Sequence, residues 1–274
     1  MARLSLGWLK PPKVPADGVM SLADHLRELR YRLVFSMITI AVGTIVSLIF
    51  HEKLLLFLLQ PWEQAQEILK GIKPNLEVTA VLSGVTAPLI LILMVSALGG
   101  LVLTSPIWLY QVWAYIAPAL LAKEKKYALI FLLAAVPMFL GGMTMGYYIL
   151  PSAIAILMAF TTDVIAIQNL LPLNDFLVLM MQLMLVFGAG FLLPVIVVTL
   201  NLVGVVSGKA LKGARRYVLF GCAIFGAAAT PGGDPFSMMA LAVPMMLLFL
   251  IAEAICHWND RRRAKSASKE LERA

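Results

Sequence analysis

Long apolar runs without charged side chains recur along this chain, and they constrain its fold more than any other feature. Several reach roughly 20 residues, the length needed to cross a bilayer as a helix. Lipid offers no hydrogen bonds to the backbone, so such runs satisfy their N–H and C=O groups there as helices. The chain is 61% hydrophobic and 14% charged, with a mean hydropathy of +0.90. These values predict an all-α, multi-pass membrane protein.

Six apolar segments are predicted to span the membrane: 33–50, 86–103, 127–150, 176–200, 217–229 and 236–256. The uncharged run 78–122 is long enough for two spans, but Pro88, Pro106 and Pro118 divide it. We interpret it as one span followed by an interfacial segment rich in Trp and Tyr. The fifth segment reaches only about 20 Å, against a hydrocarbon core of about 30 Å. That shortfall predicts either a longer helix or a locally thinned bilayer.

The distribution of Lys and Arg predicts the orientation of the spans. With both termini in the cytoplasm, 19 of the 22 basic residues lie inside and three lie outside. The net charge of +7 is therefore explained by topology, and we expect no nucleic-acid partner. The predicted organisation is a flexible cytoplasmic arm over 1–20, a six-span membrane domain over 21–256 and a basic cytoplasmic tail over 257–274.

The stretch 21–33 carries charged side chains directly before the first span. Ser21 and Asp24 have the form of a capping box, which predicts a helix start. Glu28 is displayed beside cations at the predicted membrane edge. Two interpretations of Glu28 are open at this point. It forms an intrahelical pair with Arg32 at i+4, or it belongs to a binding site for a cationic partner.

Four further polar side chains are candidates for function. Glu124 lies among three lysines on the predicted cytoplasmic side, and with Glu28 it suits a ligand with two guanidinium groups. Gln182 lies within span four and either bonds a neighbouring helix or faces a wet cavity. Asp234 lies in the outer turn before span six, where a turn-forming role competes with a functional one. Glu253, near the end of span six, is expected to snorkel or to pair with the basic tail.

Several classes of function lack their usual sequence signals. The histidines are scattered, no cluster has metal-ligand spacing, and no phosphate-binding glycine loop or activated nucleophile is visible. We therefore expect no enzyme and no cofactor. A solute or ion transporter using Gln182 and Asp234 is the alternative to a receptor. A lipid-embedded assembly scaffold without a receptor site is a third possibility.

Five segments, at 20–33, 105–124, 187–194, 216–219 and 230–237, closely resemble signatures of the TatC family, the multispanning receptor of the twin-arginine translocation system. Residues 20–33 resemble its amino-terminal signature, and 105–124 resemble its second-loop signature. Shorter matches lie at 187–194, 216–219 and 230–237. The similarity runs in the family's order from about residue 20 to residue 256.

The resemblance implies a concave, six-helix receptor that binds the paired arginines of signal peptides on folded cargo proteins. Glu28 and Glu124 correspond to the family's arginine-binding carboxylates, and Arg30, Gln111 and Tyr115 belong to the surrounding signature. Single-span partners of the TatA and TatB type are implied, with span five and neighbouring surfaces as docking sites and with several copies in a complex. The implied location is the cytoplasmic membrane of a prokaryote, with transport driven by the proton gradient.

The chain departs from the family pattern in three places. Leu192 stands where many members have Glu in span four, and the role of that Glu in docking or cavity hydration is a candidate function for Gln182. Tyr115 stands where Phe is frequent, which adds a hydroxyl to the ring. Glu253 lies about one turn after the family's acidic residue in span six, on roughly the same face.

Overall fold

The computed structural model describes residues 22–74, 78–116, 125–161, 169–230 and 235–271, and most of them are helical. The helices are α1 Leu22–Leu48, α2 His51–Ile72, α3 Ala87–Leu103, α4 Ser105–Ile116, α5 Lys125–Ala159, α6 Leu173–Val203, α7 Gly208–Ala229 and α8 Pro235–Leu271. Two short strands, β1 Val78–Val81 and β2 Asn169–Pro172, complete the elements. The chain forms two compact units, one made of residues 1–50 and 96–136 and the other of 51–95 and 137–274.

The long helices confirm an all-α membrane protein. Within the described ranges, four helices are long and apolar enough to cross a membrane: α1, α5, α6 and α8. The pair α3 and α4 passes the same test when taken together, with a bend of 62° between the two helices. The predicted fifth span, 217–229, forms the second half of α7, whose first half carries four basic residues. The number six and the orientation of the termini therefore stay predictions.

In the first unit, α1 crosses α3 at two glycines. A Cβ atom on Gly100 would overlap the backbone nitrogen of Thr44, and one on Gly43 would lie 2.8 Å from the carbonyl oxygen of Gly100. Only glycine allows two helix backbones to approach this closely. The core of the unit includes Trp113 of α4, which stacks on Phe131 with a centroid distance of 4.7 Å.

Replacing Gly100 with Ala is expected to separate α1 from α3, because the added methyl would overlap backbone atoms that cannot rotate away. Overpacking of this kind costs about 1–3 kcal/mol. Thermal unfolding of the purified protein in detergent should show a lower midpoint than the wild type. Gly141→Ala is the matched control, since a Cβ there meets nothing within 4 Å. An unchanged midpoint for Gly100→Ala would contradict the close crossing.

In the second unit, α8 packs against both α6 and α7. Gly142 and Gly146 of α5 lie against α6, where a Cβ on Gly142 would be 2.5 Å from the carbonyl oxygen of Phe187. The two glycines, four residues apart on one face of α5, therefore allow close packing of α5 against α6. The strands β1 and β2 pair in parallel, with Val78 opposite Asn169 and Val81 opposite Pro172.

Three segments differ from the sequence-based expectation. The segment between the first two predicted spans contains the 22-residue helix α2, whose buried side chains Leu58, Ala65 and Leu69 share one face. The expected loop after residue 150 begins later, because α5 continues through Pro151 to Ala159. The basic tail, expected as a separate segment, continues α8 to Leu271. The β1–β2 pairing has no counterpart in the prediction.

Candidate functional site

Glu28 is the most deeply buried of the acids that the structure describes in the first unit, although it lies in the first two turns of α1. It is 2% exposed. Its Oε1 atom accepts hydrogen bonds from Nη2 of Arg32 at 2.6 Å and from Nε of Arg32 at 2.9 Å. Its Oε2 atom is also buried and has no hydrogen-bond partner among the residues that the structure describes. A buried carboxylate oxygen without a donor is costly, so this atom marks an incomplete site.

Arg32 connects this carboxylate to α4. Its Nη1 atom donates to Oε1 of Gln111 at 3.0 Å, across 79 residues of sequence. The Arg32 side chain is 16% exposed, so it is the more accessible member of the ion pair. One guanidinium therefore lies between the acid of α1 and the amide of α4.

A ring pair lies on the same two helices. His25 of α1 stacks on Tyr115 of α4 with a centroid distance of 4.5 Å and an interplanar angle of 14°. His25 is three residues before Glu28 and Tyr115 is four residues after Gln111, so both rings lie about one helical turn from the ion pair. Arg30 is exposed on α1. The structure thus brings Glu28, Gln111 and Tyr115 to the α1–α4 contact.

An apolar groove continues from this ion pair along α1 and α4. Its volume is about 240 Å³, and Arg32 and Gln111 line it together with apolar side chains that include Leu33, Ile40 and Trp108. Trp108 is held by a hydrogen bond from its Nε1 atom to the carbonyl oxygen of Leu101 at 3.0 Å. The site therefore combines a buried anion with an adjoining apolar surface.

Two of the predicted site residues lie outside the described residues. These are Glu124, which follows α4, and Asp234, which precedes α8. Their proposed roles stay predictions. Among the residues that are described, no group of three His, Cys, Asp or Glu side chains is placed to hold a metal ion.

Glu253 and Gln182 belong to the second unit and differ sharply in environment. The Glu253 side chain is 3% exposed and receives two hydrogen bonds from Arg215 of α7, at 2.8 Å from Nε and 2.9 Å from Nη2. Its partner is thus Arg215 and not a cation of the tail, although His257 lies 4.0 Å away. Hydrogen bonding to Glu253 and the charge of that carboxylate raise the pKa of Arg215 above its ordinary value. Gln182 is exposed on α6.

The family's span-four Glu position is filled here by a core residue. Leu192 is 9% exposed. Gln182 is exposed on the same helix, so the two side chains occupy different environments. Whether Gln182 takes over the role of the missing acid stays a prediction.

A polar network at one end of the second unit was missed by the sequence prediction. Asn201 is 1% exposed and donates from Nδ2 to Oδ1 of Asp260 at 2.9 Å. Oδ2 of Asp260 accepts from the backbone N–H of Gly208 at 2.7 Å, at the start of α7. The carboxylate thus satisfies one of the free N–H groups of a helix start. Asp260 lies four residues after the predicted end of span six, and nothing in the sequence around it predicts these contacts.

The fold and the site define a multi-pass helical membrane protein with a buried acidic site at the start of its first helix, outside the predicted hydrocarbon core. Residues 24–244 match the TatC family, described as Sec-independent protein translocase protein. The chain belongs to this family, so the predicted resemblance is confirmed.

Relatives and solved structures agree with this assignment. TatC of Frankia casuarinae is 32% identical over 91% of this chain and 69% of its own length. TatC of Xylanimonas cellulosilytica is 34% identical over 90% of this chain and 88% of its own. The crystal structure of the twin arginine translocase receptor TatC is 27% identical, with a TM-score of 0.67, covering 86% of this chain and 99% of that one. The same receptor crystallised in DDM gives a TM-score of 0.66.

Proposed function

We propose that this protein is the core receptor of a twin-arginine translocase, which binds the Arg-Arg signal peptide of folded proteins and nucleates assembly of TatA- and TatB-type subunits. The observation that carries the binding step is the Oε2 atom of Glu28, which is buried and lacks a hydrogen-bond donor. A guanidinium donates several N–H groups in one plane, always carries its charge, and binds carboxylates in a paired geometry. The arginine of a signal peptide is therefore a fitting partner for this acid.

A second acid is needed for a peptide with two arginines. Glu28 is already neutralised by Arg32, and one carboxylate cannot compensate two further cations. Glu124 supplies the second negative charge in this proposal, and Gln111, Tyr115 and Arg30 complete the surface around the peptide. Both termini lie in the cytoplasm of a prokaryotic cell, which places the site on the side where signal peptides are synthesised.

The binding step can be tested by site-specific photocrosslinking. A photoreactive side chain is introduced at Leu26 or at Val112, which are both exposed, and the membrane-embedded protein is exposed to a labelled Arg-Arg peptide. We expect crosslinks that an unlabelled Arg-Arg peptide competes away and a Lys-Lys peptide does not. Equal competition by both peptides would contradict the proposed receptor site. The relatives and solved structures described above are TatC proteins and give no support to the alternative, a solute or ion transporter.

Gln182 is proposed to dock a single-span partner. Its amide is exposed within the apolar part of α6 that follows the polar first turn, and no described residue gives it a hydrogen bond. An amide without a partner is unfavourable in lipid, so a polar group on a partner helix at the same depth would stabilise it. Asp234 and the surfaces near span five are further docking candidates.

Replacing Gln182 with Leu is expected to weaken the recovery of a TatA- or TatB-type subunit about threefold to thirtyfold. A hydrogen bond between membrane helices contributes about 0.6–2 kcal/mol, and each 1.4 kcal/mol is tenfold in affinity. The measurement is quantitative co-purification from detergent. Leu193→Ala is the control, because Leu193 is exposed on the same helix without a polar group. Equal recovery with Gln182→Leu and wild type would argue against docking at this amide.

A further inference from the structure

The contact between Arg32 and Glu28 has an unusual distribution of hydrogen bonds. Both Nε and Nη2 of Arg32 donate to the same oxygen, Oε1, while Oε2 receives none from any described residue. A paired guanidinium–carboxylate contact would use both oxygens. Arg32 therefore fills half of the hydrogen-bonding capacity of a carboxylate that is 2% exposed.

We propose that Arg32 is a specificity-determining residue: it is a resident guanidinium that an arginine of the signal peptide must displace from Glu28. This inference rests on the proposed function, since it assumes that the peptide binds Glu28. The displaced side chain keeps a partner, because Nη1 of Arg32 is already bonded to Oε1 of Gln111 at 3.0 Å. The peptide arginine replaces Arg32 at Glu28 and does not bind beside it, because of the charges at the site and the burial of Oε2.

The charge argument concerns the number of cations around one acid. Arg32 and Glu28 together are neutral. A peptide guanidinium added beside them would meet a like charge in a half-buried site, where screening by water is weak. Exchange moves Arg32 away from Glu28 toward Gln111, so the incoming guanidinium contacts the carboxylate and lies farther from the Arg32 cation than it would in addition.

The access argument concerns Oε2. Its buried position leaves no path for a ligand while Glu28 and Arg32 stay as they are. Arg32 is the more exposed of the two side chains, at 16% against 2%. Movement of Arg32 toward Gln111 is therefore the step that opens the carboxylate.

The exchange explains why a site of this kind selects arginine over lysine. A peptide guanidinium can replace both hydrogen bonds that Arg32 gives up and can also reach Oε2. An ammonium is a more strongly hydrated point charge without the planar fork, so it is a poor competitor for a resident guanidinium. Selectivity for arginine over lysine then arises from competition with Arg32 for Glu28, in addition to the contacts that the bound peptide makes.

The test compares the binding of an Arg-Arg peptide and a Lys-Lys peptide to the full-length protein in lipid nanodiscs, by fluorescence anisotropy. The variants are Arg32→Gln, which removes the resident cation, and Arg32→Lys, which keeps the charge and favours correct folding. Arg27→Gln is the matched control, because Arg27 is an exposed cation of α1 that pairs with Asp24. Glu28→Gln reports separately on the proposed function.

The decisive quantity is the ratio of the Kd values for the two peptides. We expect Arg32→Gln to lower the Lys-Lys to Arg-Arg ratio at least tenfold and Arg32→Lys to lower it less, with no change in Arg27→Gln. If Arg32 only positions Glu28, both peptides lose affinity together and the ratio stays constant, which would overturn the inference. If Arg32→Gln does not fold, an unchanged ratio in Arg32→Lys overturns it. Full binding by Glu28→Gln would instead overturn the receptor site and this inference together.

Discussion

The variant Glu28→Gln is expected to bind an Arg-Arg signal peptide about 30-fold to 5000-fold more weakly than the wild type. Truncating one partner of a buried, hydrogen-bonded charge pair costs about 2–5 kcal/mol, and 1.36 kcal/mol is tenfold in affinity. The amide keeps the size of the side chain but removes the charge that holds a guanidinium. Arg32 loses its acid in this variant and keeps its bond to Gln111.

The measurement is the Kd of a labelled peptide with protein in nanodiscs, at one fixed salt concentration because exposed charges are screened by salt. Glu67→Gln is the matched control, since Glu67 is an exposed acid of α2 in the other unit. A melting curve for each variant separates loss of binding from loss of fold. Wild-type affinity in a folded Glu28→Gln protein would remove Glu28 from the site.

The first helix illustrates how well a sequence pattern can locate a site in a membrane protein. The charged stretch before the first span predicted a helix start and singled out Glu28. The structure confirms the first of its two interpretations, the pair with Arg32, while the binding site for a cationic partner stays a proposal. Glu28 pairs with Arg32 at i+4, and it also has a buried oxygen without a donor. The i+4 contact could be predicted because it depends only on helical spacing.

Burial on α1 could not be predicted from polarity. The apolar side chains Leu22, Leu26 and Leu33 are each more than half exposed, while the charged Glu28 is buried. In a soluble protein this arrangement would be inverted. Leu33 begins the predicted first span, whose solvent is lipid, so its exposure is expected there. Glu28 precedes that span, and its burial follows from the pair with Arg32, which also contacts Gln111 of α4.

Contacts between helices were beyond sequence reasoning for a related reason. The bond between Arg32 and Gln111 joins residues 79 apart, and that between Arg215 and Glu253 joins residues 38 apart. Periodicity fixes which residues share a face of one helix, but it does not fix which helix packs there. The pairing of β1 with β2 was missed because each strand has only four residues, too short for an alternating pattern.

The ion pair between Arg215 and Glu253 leads to the other large expected effect. Arg215→Met should lower the stability of the protein and its melting midpoint, because it leaves a carboxylate that is 3% exposed without its two hydrogen bonds. The loss should be smaller than for a fully buried ion pair, since half of the Arg215 side chain is exposed.

The double variant Arg215→Met with Glu253→Met separates the pair from the packing around it. Removing both charges leaves no buried acid without a donor, so the double variant should be more stable than Arg215→Met alone and close to wild type. Reversible unfolding in mixed micelles, followed by circular dichroism, measures both differences. Lys212→Met is the matched control, since Lys212 is an exposed cation of the same helix, three residues earlier. If Arg215→Met and Lys212→Met are equally stable, the contact with Glu253 does not hold α7 on α8, and the burial of this acid needs another source of stabilisation.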